Sequence, residues 1–250
     1  MTQPFHGLFS AQAAIYAASR PRYPAELYAF LASRALRRRV VWDCATGNGQ
    51  AAVDLTRAFD LVIATDVSAR QIAHAEPARG VHYVVGTAEA SVLREGAVDA
   101  VTVAQALHWL DIDAFAAEVR RVTAAGGIIA AWSYGSCQAG DDVDPLLRAF
   151  EFGTLRPYWN ARRRWVDEGY RTISFPFEEI DTPEFTLRAI WTLPQLGAYL
   201  SSWSAVVGYR DATGTDPVRP LLEQLAIHWG SPDATREITW PLGVRVGRVG

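Results

Sequence analysis

Lysine is absent: all 24 basic residues of this 250-residue chain are arginine. That excludes a Schiff-base nucleophile and the lysine of a phosphate-binding P-loop. Cysteine is scarce. Cys44 and Cys137 make no disulfide framework, and no Cys/His spacing fits a zinc site, so no metal is expected. No apolar run is long enough to span a membrane, and no basic-plus-apolar leader opens the chain, so a cytoplasmic protein is expected. Internal repeats and low-complexity tracts are lacking. Net charge is only −3, which gives no global electrostatic case for nucleic acid or an anionic membrane.

What is present is a stretch that organises the rest, Val40-Val41-Trp42-Asp43-Cys44-Ala45-Thr46-Gly47-Asn48-Gly49-Gln50. It reads as a short apolar strand, an acid, a glycine turn and the start of a helix running to about residue 59. A helix N-terminus leaves N–H groups unpaired and carries partial positive charge, so it suits an anionic or electron-rich ligand group. Glycine lets the main chain approach that ligand without a Cβ in the way. Leu61-Val62-Ile63-Ala64-Thr65-Asp66 is a second buried-strand run, and Ser68-Ala69-Arg70-Gln71 after it has capping-box spacing. Asp66 is thereby predicted at the carboxyl end of a strand beside the glycine turn. Open α/β sheets bind nucleotides there, and a carboxylate there can accept hydrogen bonds from a ribose diol.

The remaining chain follows the same alternation. Leu27, Phe30, Leu31 and Leu36 fall near helical spacing, which predicts a helix from Pro24 ending in Arg37-Arg38-Arg39. Val81–Val85, Val98–Val103 and Ile128–Trp132 read as strands, with a helix after Asp111 and Asp113 carrying Phe115, Val119 and Val122. Near-continuous apolar strands alternating with helices indicate a parallel sheet covered on both faces. Beyond Tyr134 the pattern changes to an aromatic and arginine-rich stretch, including Tyr158, Trp159, Arg162-Arg163-Arg164, Trp165 and Tyr170. A strand over 184–192, helices over 194–208 and 217–229, and a final strand over 238–246 follow. Pro241 in that last strand delays its pairing or puts a bulge in it.

With these motifs on the page, the chain resembles the class I S-adenosylmethionine-dependent methyltransferases. Asp43 to Gly49 follows the family's first motif, with Ala45 where a glycine is usual; Asp66 matches its ribose-binding acid; Thr87-Ala88-Glu89 matches its adenine-edge segment; and Ala104 to Trp109 matches the floor of its active site. Tyr16, Arg20-Pro21 and Tyr23-Pro24, with the closing half, look like the trans-aconitate-methyltransferase-like branch. The resemblance implies a three-layer, Rossmann-like α/β fold. Its seven-stranded, mostly parallel sheet would run in the order 3-2-1-4-5-7-6, the last-numbered strand antiparallel, under a helical lid. It implies one methyltransferase domain over 1–250: N-terminal lid helices (1–36), a cofactor-binding core (37–135), a substrate-lid insertion (136–182) and the rest of the sheet (183–250).

The resemblance implies S-adenosylmethionine as cofactor and S-adenosylhomocysteine as product. Its methionine part would lie on the turn of Asp43, Ala45, Thr46, Gly47 and Gly49; its ribose on Asp66; its adenine on Val67, Thr87, Ala88 and Glu89; its sulfonium end near Ala104 and Gln105. Phe9, Tyr16 and Arg20 would come from the lid. Asp43 either holds the turn or reaches the cofactor amine through water, and Glu89 is either an adenine contact or a solvated acid. His108 is the candidate base, or else a packing and hydrogen-bonding histidine. Trp109 reads first as a wall. Tyr158, Trp159 and Arg163 are candidate substrate residues, an arginine between aromatics being suited to a carboxylate, or else the core and solvated face of the lid.

Methyl transfer from a sulfonium is an in-line displacement governed by positioning, and whether a base is needed depends on the acceptor. The expected reaction is methylation of a small-molecule carboxylate or hydroxyl, with no nucleic-acid or membrane partner. Oligomeric state is not readable. Gly47-x-Gly49-x-x-Ala52 also fits a loose dinucleotide fingerprint, but Asp43 to Thr46 separate it from the strand and no second mononucleotide half follows. A nucleic-acid methyltransferase lacks its basic groove. A degenerate fold that binds cofactor or partner without turnover is the non-enzymatic alternative.

Overall fold

The computed structural model describes residues 21–231 and 233–250, so Phe9, Tyr16 and Arg20 lie outside the described residues. The chain divides into two compact units. The first comprises Arg22–Tyr134, Arg164–Phe185 and Leu242–Gly250; the second comprises Gly135–Arg163 and Thr186–Pro241, joined by Pro21.

The first unit is built on parallel strands β1 (Val40–Cys44), β2 (Leu61–Asp66), β3 (Val81–Val85), β4 (Val98–Ala104) and β5 (Thr123–Tyr134). β4 is buried along its length up to Ala104, as a strand covered on both faces must be. One face packs Trp42, Val101, Val103, Ile129 and Ala131 against Phe115, Val119 and Val122 of helix α4 (Ile112–Val122). That helix is capped by Asp111, whose side chain accepts from Ala114 N–H. On the other face Trp132 meets the ring of Tyr23 edge-on, centroids 5.5 Å apart, just before helix α1 (Ala25–Arg34). Between these lie α2 (Gln50–Leu55) and α3 (Ala69–Ala73).

Three local expectations are corrected. Helix α1 stops at Arg34, so Leu36 is not on its apolar face but 72% exposed beyond it. Arg37 to Arg39 accordingly form a connection, not a last turn, and Arg39 pairs with Asp99 at the start of β4 (3.2 Å). The helix after the glycine turn ends at Leu55, well short of 59. The capping box is half made: Ser68 Oγ accepts from Gln71 N–H, but Ser68 N–H goes to Asp66 Oδ1 (2.8 Å) and not to the Gln71 side chain.

The sheet has eight strands among the described residues, in the order β3-β2-β1-β4-β5-β8-β6, with β7 (Phe185–Thr192) also pairing β8. The expected seven-stranded order therefore holds through β5. The antiparallel neighbour of β5 is the last strand in the chain, β8 (Thr235–Arg248), and the outer position is shared by β7 and the two-residue β6 (Glu178–Glu179). The β5–β8 ladder runs from Tyr134↔Leu242 to Ile128↔Arg248, beginning at the residue after Pro241. Proline has no N–H to give that ladder.

The second unit holds α5 (Asp144–Ala149), a π-helical turn (Phe150–Thr154), α7 (Leu193–Ser201), α8 (Ser204–Thr213) and α9 (Val218–Trp229), and ends one segment at Arg163, the first residue of α6 (Arg163–Asp167), whose other residues lie in the first unit. The centre of the second unit is aromatic. Trp240 donates to Tyr199 Oη (2.9 Å), and Trp191 packs on both. Among the described residues no helix is long and apolar enough to cross a membrane.

Candidate active site

The parallel strands bring their carboxyl ends to one edge of the first unit, so residues far apart in sequence converge there: Asp43 to Gly49 after β1, Asp66 and Val67 after β2, Thr87 to Glu89 after β3, Gln105 to Trp109 after β4.

The turn after β1 is held by two carboxylates. Asp43 is fully buried; its Oδ2 accepts from Thr46 Oγ1 (2.5 Å) and its Oδ1 from Thr102 Oγ1 (2.8 Å). Burial pushes the Asp43 carboxyl up to about 6; the two hydroxyls pull it down, and the charge of Asp66 pushes it up. Asp66 accepts from Gly47 N–H through Oδ2 and from Ser68 N–H through Oδ1, both at 2.8 Å. Thr46 N–H donates to Thr65 O (2.9 Å), which ties the turn to β2.

Within this turn Ala45, Gly47 and Gly49 all have positive φ, at 54°, 59° and 85°. Ala45 thus occupies a left-handed position that glycine fills without strain. Gly49 has a second reason to be glycine: a Cβ there would stand 2.1 Å from Tyr83 Oη, which donates to Glu76 O (2.7 Å). Gly47 is the opposite case, because a Cβ there would meet no atom of the described residues within 4 Å.

At the next strand ends, Val67 presents an apolar side chain that is 50% exposed, and Ala88 is buried. Thr87 is exposed and bonds Ala90 O (3.3 Å). Glu89 accepts from Asp111 N–H (3.2 Å). After β4, Gln105 has φ 56°, donates its N–H to Trp132 O (2.8 Å) and its side-chain amide to Tyr134 O (2.8 Å). A short helical turn, Leu107–Trp109, then carries His108. His108 is buried, with Nδ1 2.8 Å from Tyr170 Oη and its ring 4.6 Å from that of Trp109.

The other expected substrate residues lie in the second unit. Arg163 Nη2 pairs with the buried carboxylate of Glu151 (2.5 Å), and its guanidinium lies over the Trp159 ring (4.3 Å). Trp159 Nε1 donates to Glu151 O (3.0 Å). Tyr158 packs apart from them, on Tyr209 (5.1 Å). Trp159 and Arg163 therefore belong to one buried-acid cluster, and part of the Arg163 donor set is already engaged.

Sequence reasoning passed over Tyr170, Tyr83, Thr102 and Arg245. Tyr170 stood only as one aromatic in a run of them; its φ of 63° and its contact with His108 have no local signature. Among the described residues no group of three or more His, Cys, Asp or Glu is placed to hold a metal ion.

This edge fits an adenosyl cofactor. Each Asp66 oxygen has a second lone pair beyond its backbone bond. Among the described residues none fills the room beside Gly47, and Val67 offers an apolar face at the strand end.

The comparisons agree. Residues 42–131 match the family model described as a methyltransferase domain. A solved structure from Anaeromyxobacter dehalogenans, provisionally named a type II methyltransferase, is 38% identical, covers 92% of this chain and 98% of its own, and superposes with a TM-score of 0.88. A Dictyostelium discoideum protein provisionally named a methyltransferase is 29% identical over 94% of this chain and 90% of its own. An uncharacterised methyltransferase of Mycobacterium tuberculosis is 34% identical over 48% of this chain and 49% of its own. The chain belongs to the class I S-adenosylmethionine-dependent methyltransferases. It is an enzyme of that family, and S-adenosylmethionine is its cofactor.

Proposed function

We propose that the chain transfers the methyl group to a compact small-molecule acceptor, a carboxylate or a hydroxyl. The observation that supports this best is the surround of His108: one hydrogen-bonded imidazole between the rings of Trp109 and Tyr170, just beyond Gln105. Such a spot recognises one polar group against apolar walls. The net charge of −3 argues against a polyanionic partner, and a cytoplasmic setting suits the two buried thiols, Cys44 and Cys137.

In this reading Asp66 holds the ribose and Val67, Thr87, Ala88 and Glu89 line the adenine. The glycine turn takes the methionine part, with the ionised Asp43 complementing the amine. Ala104 and Gln105 border the sulfonium. The bound cofactor supplies a methyl on positive sulfur and a neutral leaving group. The protein's part is to align the acceptor about 3 Å from that methyl and exclude water. The whole chain acts as one methyltransferase domain, with Tyr158, Trp159 and Arg163 as its candidate substrate residues.

The test is a screen with labelled S-adenosylmethionine against small acids, phenols and alcohols, with oligonucleotides and proteins in parallel. Label in a low-molecular-weight product supports the proposal. Label only in nucleic acid or protein contradicts it.

A further inference from the structure

We propose that Tyr170 is a positioning residue that holds His108 with its ring proton on Nε2, so that His108 serves the acceptor as a hydrogen-bond donor and not as a base. The donor role rests on the reading above, in which His108 borders the acceptor.

The pairing of Nδ1 with the Tyr170 hydroxyl at 2.8 Å admits two polarities: either the phenol donates to a bare nitrogen, or an Nδ1–H donates to the phenol oxygen. The surroundings choose between them. If Nδ1–H donated to the phenol oxygen, the phenol's own hydrogen would still have to be placed. Tyr170 is fully buried, where a hydroxyl hydrogen without an acceptor is costly. Nδ1 is the acceptor at hand. Burial also keeps the phenol protonated by raising its ionisation. A bare Nδ1 on a neutral ring puts the proton on Nε2. A base needs a bare nitrogen toward the acceptor, and the bare nitrogen of His108 is committed to Tyr170.

The turn that presents Tyr170 is fastened independently of the imidazole. Tyr170 has φ 63° and Gly169 before it has φ 59°; non-glycine residues keep such a conformation only where their surroundings over-determine it. Gly169 crosses Gly243 of β8 so closely that a Cβ on Gly243 would lie 2.3 Å from Gly169 Cα. Two residues further along β8, Arg245 Nη1 donates to the carbonyls of Tyr170 (2.9 Å) and Ile173 (2.6 Å). The same guanidinium is held by Glu179 (2.5 Å) and lies over the Phe175 ring (4.6 Å). Tyr170 N–H donates to Trp165 O (2.8 Å), closing the turn from the other side. The hydroxyl is thus delivered to His108 from a rigid support 62 residues away in sequence.

With His108 as donor the acceptor is a carboxylate, already ionised, so no proton has to be removed for the transfer. A lone pair on the acceptor oxygen forms the new bond to carbon while the carbon–sulfur bond breaks, and that bond's electron pair stays on sulfur. Nε2–H steadies the acceptor's second polar atom.

The test is long-range nitrogen-15 correlation NMR of the histidine rings in the full-length protein, alone and with saturating S-adenosylhomocysteine. In the wild type His108 is expected to show a protonated Nε2 and a bare Nδ1. Tyr170→Phe keeps the ring and removes the hydroxyl; there the two tautomers are expected to mix, while S-adenosylhomocysteine affinity stays within about twofold. A structural role alone would not move the tautomer. An Nδ1–H tautomer in the wild type, or an unchanged tautomer in Tyr170→Phe, overturns the role given to Tyr170. His108 ring signals that do not respond to S-adenosylhomocysteine overturn its place beside the acceptor instead. If Tyr170→Phe does not fold, the wild-type tautomer decides by itself.

Discussion

Asp66 Oδ2 accepts from the backbone N–H of Gly47 at 2.8 Å, so the acid at the end of β2 is fastened to the glycine turn at the end of β1. The bond joins two segments 19 residues apart and fixes the notch between two parallel strands before any ligand arrives. A preformed notch lowers the ordering cost of binding.

The first prediction follows from that bond. Asp66→Ala removes the acceptor for the ribose and also releases Gly47 N–H. Loss of hydrogen bonds to a charged group is worth about 1.5–3 kcal/mol. Calorimetry with S-adenosylhomocysteine should show an affinity lower by about 10- to 150-fold; an unchanged affinity would contradict the placement of the ribose.

Ala45 carries the left-handed conformation at a cost of about 1–2 kcal/mol. Ala45→Gly removes that cost and gives back part of it through a more flexible unfolded chain. The net expectation is a gain of roughly 0.5–1 kcal/mol, read as a rise of about 1–4 °C in Tm. A fall in Tm would show that Ala45 packs usefully in the turn.

Gly49→Ala should do the reverse. The new Cβ would meet Tyr83 Oη, break its bond to Glu76 O, and sit at positive φ. Strain plus one lost hydrogen bond sum to about 2–3 kcal/mol of destabilisation in denaturant unfolding. Adding Tyr83→Phe should relieve only the clash with the hydroxyl, because two ring carbons would still stand 2.8 Å from the new Cβ.

The pH dependence has a definite sign. The Asp43 carboxyl ionises near 6 in the folded protein, above its value in an unfolded chain, so the folded state holds the extra proton between about pH 4 and 6. Its contribution to stability is therefore fully present below about pH 4 and is lost as pH rises through about 6. A cationic cofactor favours the ionised form. Affinity for S-adenosylmethionine should therefore rise with pH through about 6, with proton release seen as a buffer-dependent heat. Asp43→Asn should flatten that dependence.

Much of this site was legible because the turn writes its backbone into residue types. Gly47 and Gly49 announce positive φ, and Ala45, the departure from the pattern, proves to share that conformation and so marks strain. Strands β2 and β3 read to the residue because each is a short, largely apolar run, although β3, at the edge of the sheet, buries none of its residues fully. Leu36 misled: its spacing continued the helix, but Ala35 is already extended. The stretch beyond Tyr134 was opaque for a different reason. Whether Arg163 faces solvent or Glu151 depends on a partner twelve residues away, and Tyr170 meets His108 across 62 residues. No local periodicity encodes such pairs.

The most direct test of the central claim is titration calorimetry of the purified protein with S-adenosylhomocysteine, with NADH as control. Saturable one-to-one binding of the thioether, absent with NADH and weakened by Asp66→Ala, is the predicted result. Binding of NADH, or no binding of S-adenosylhomocysteine to folded protein, would contradict it.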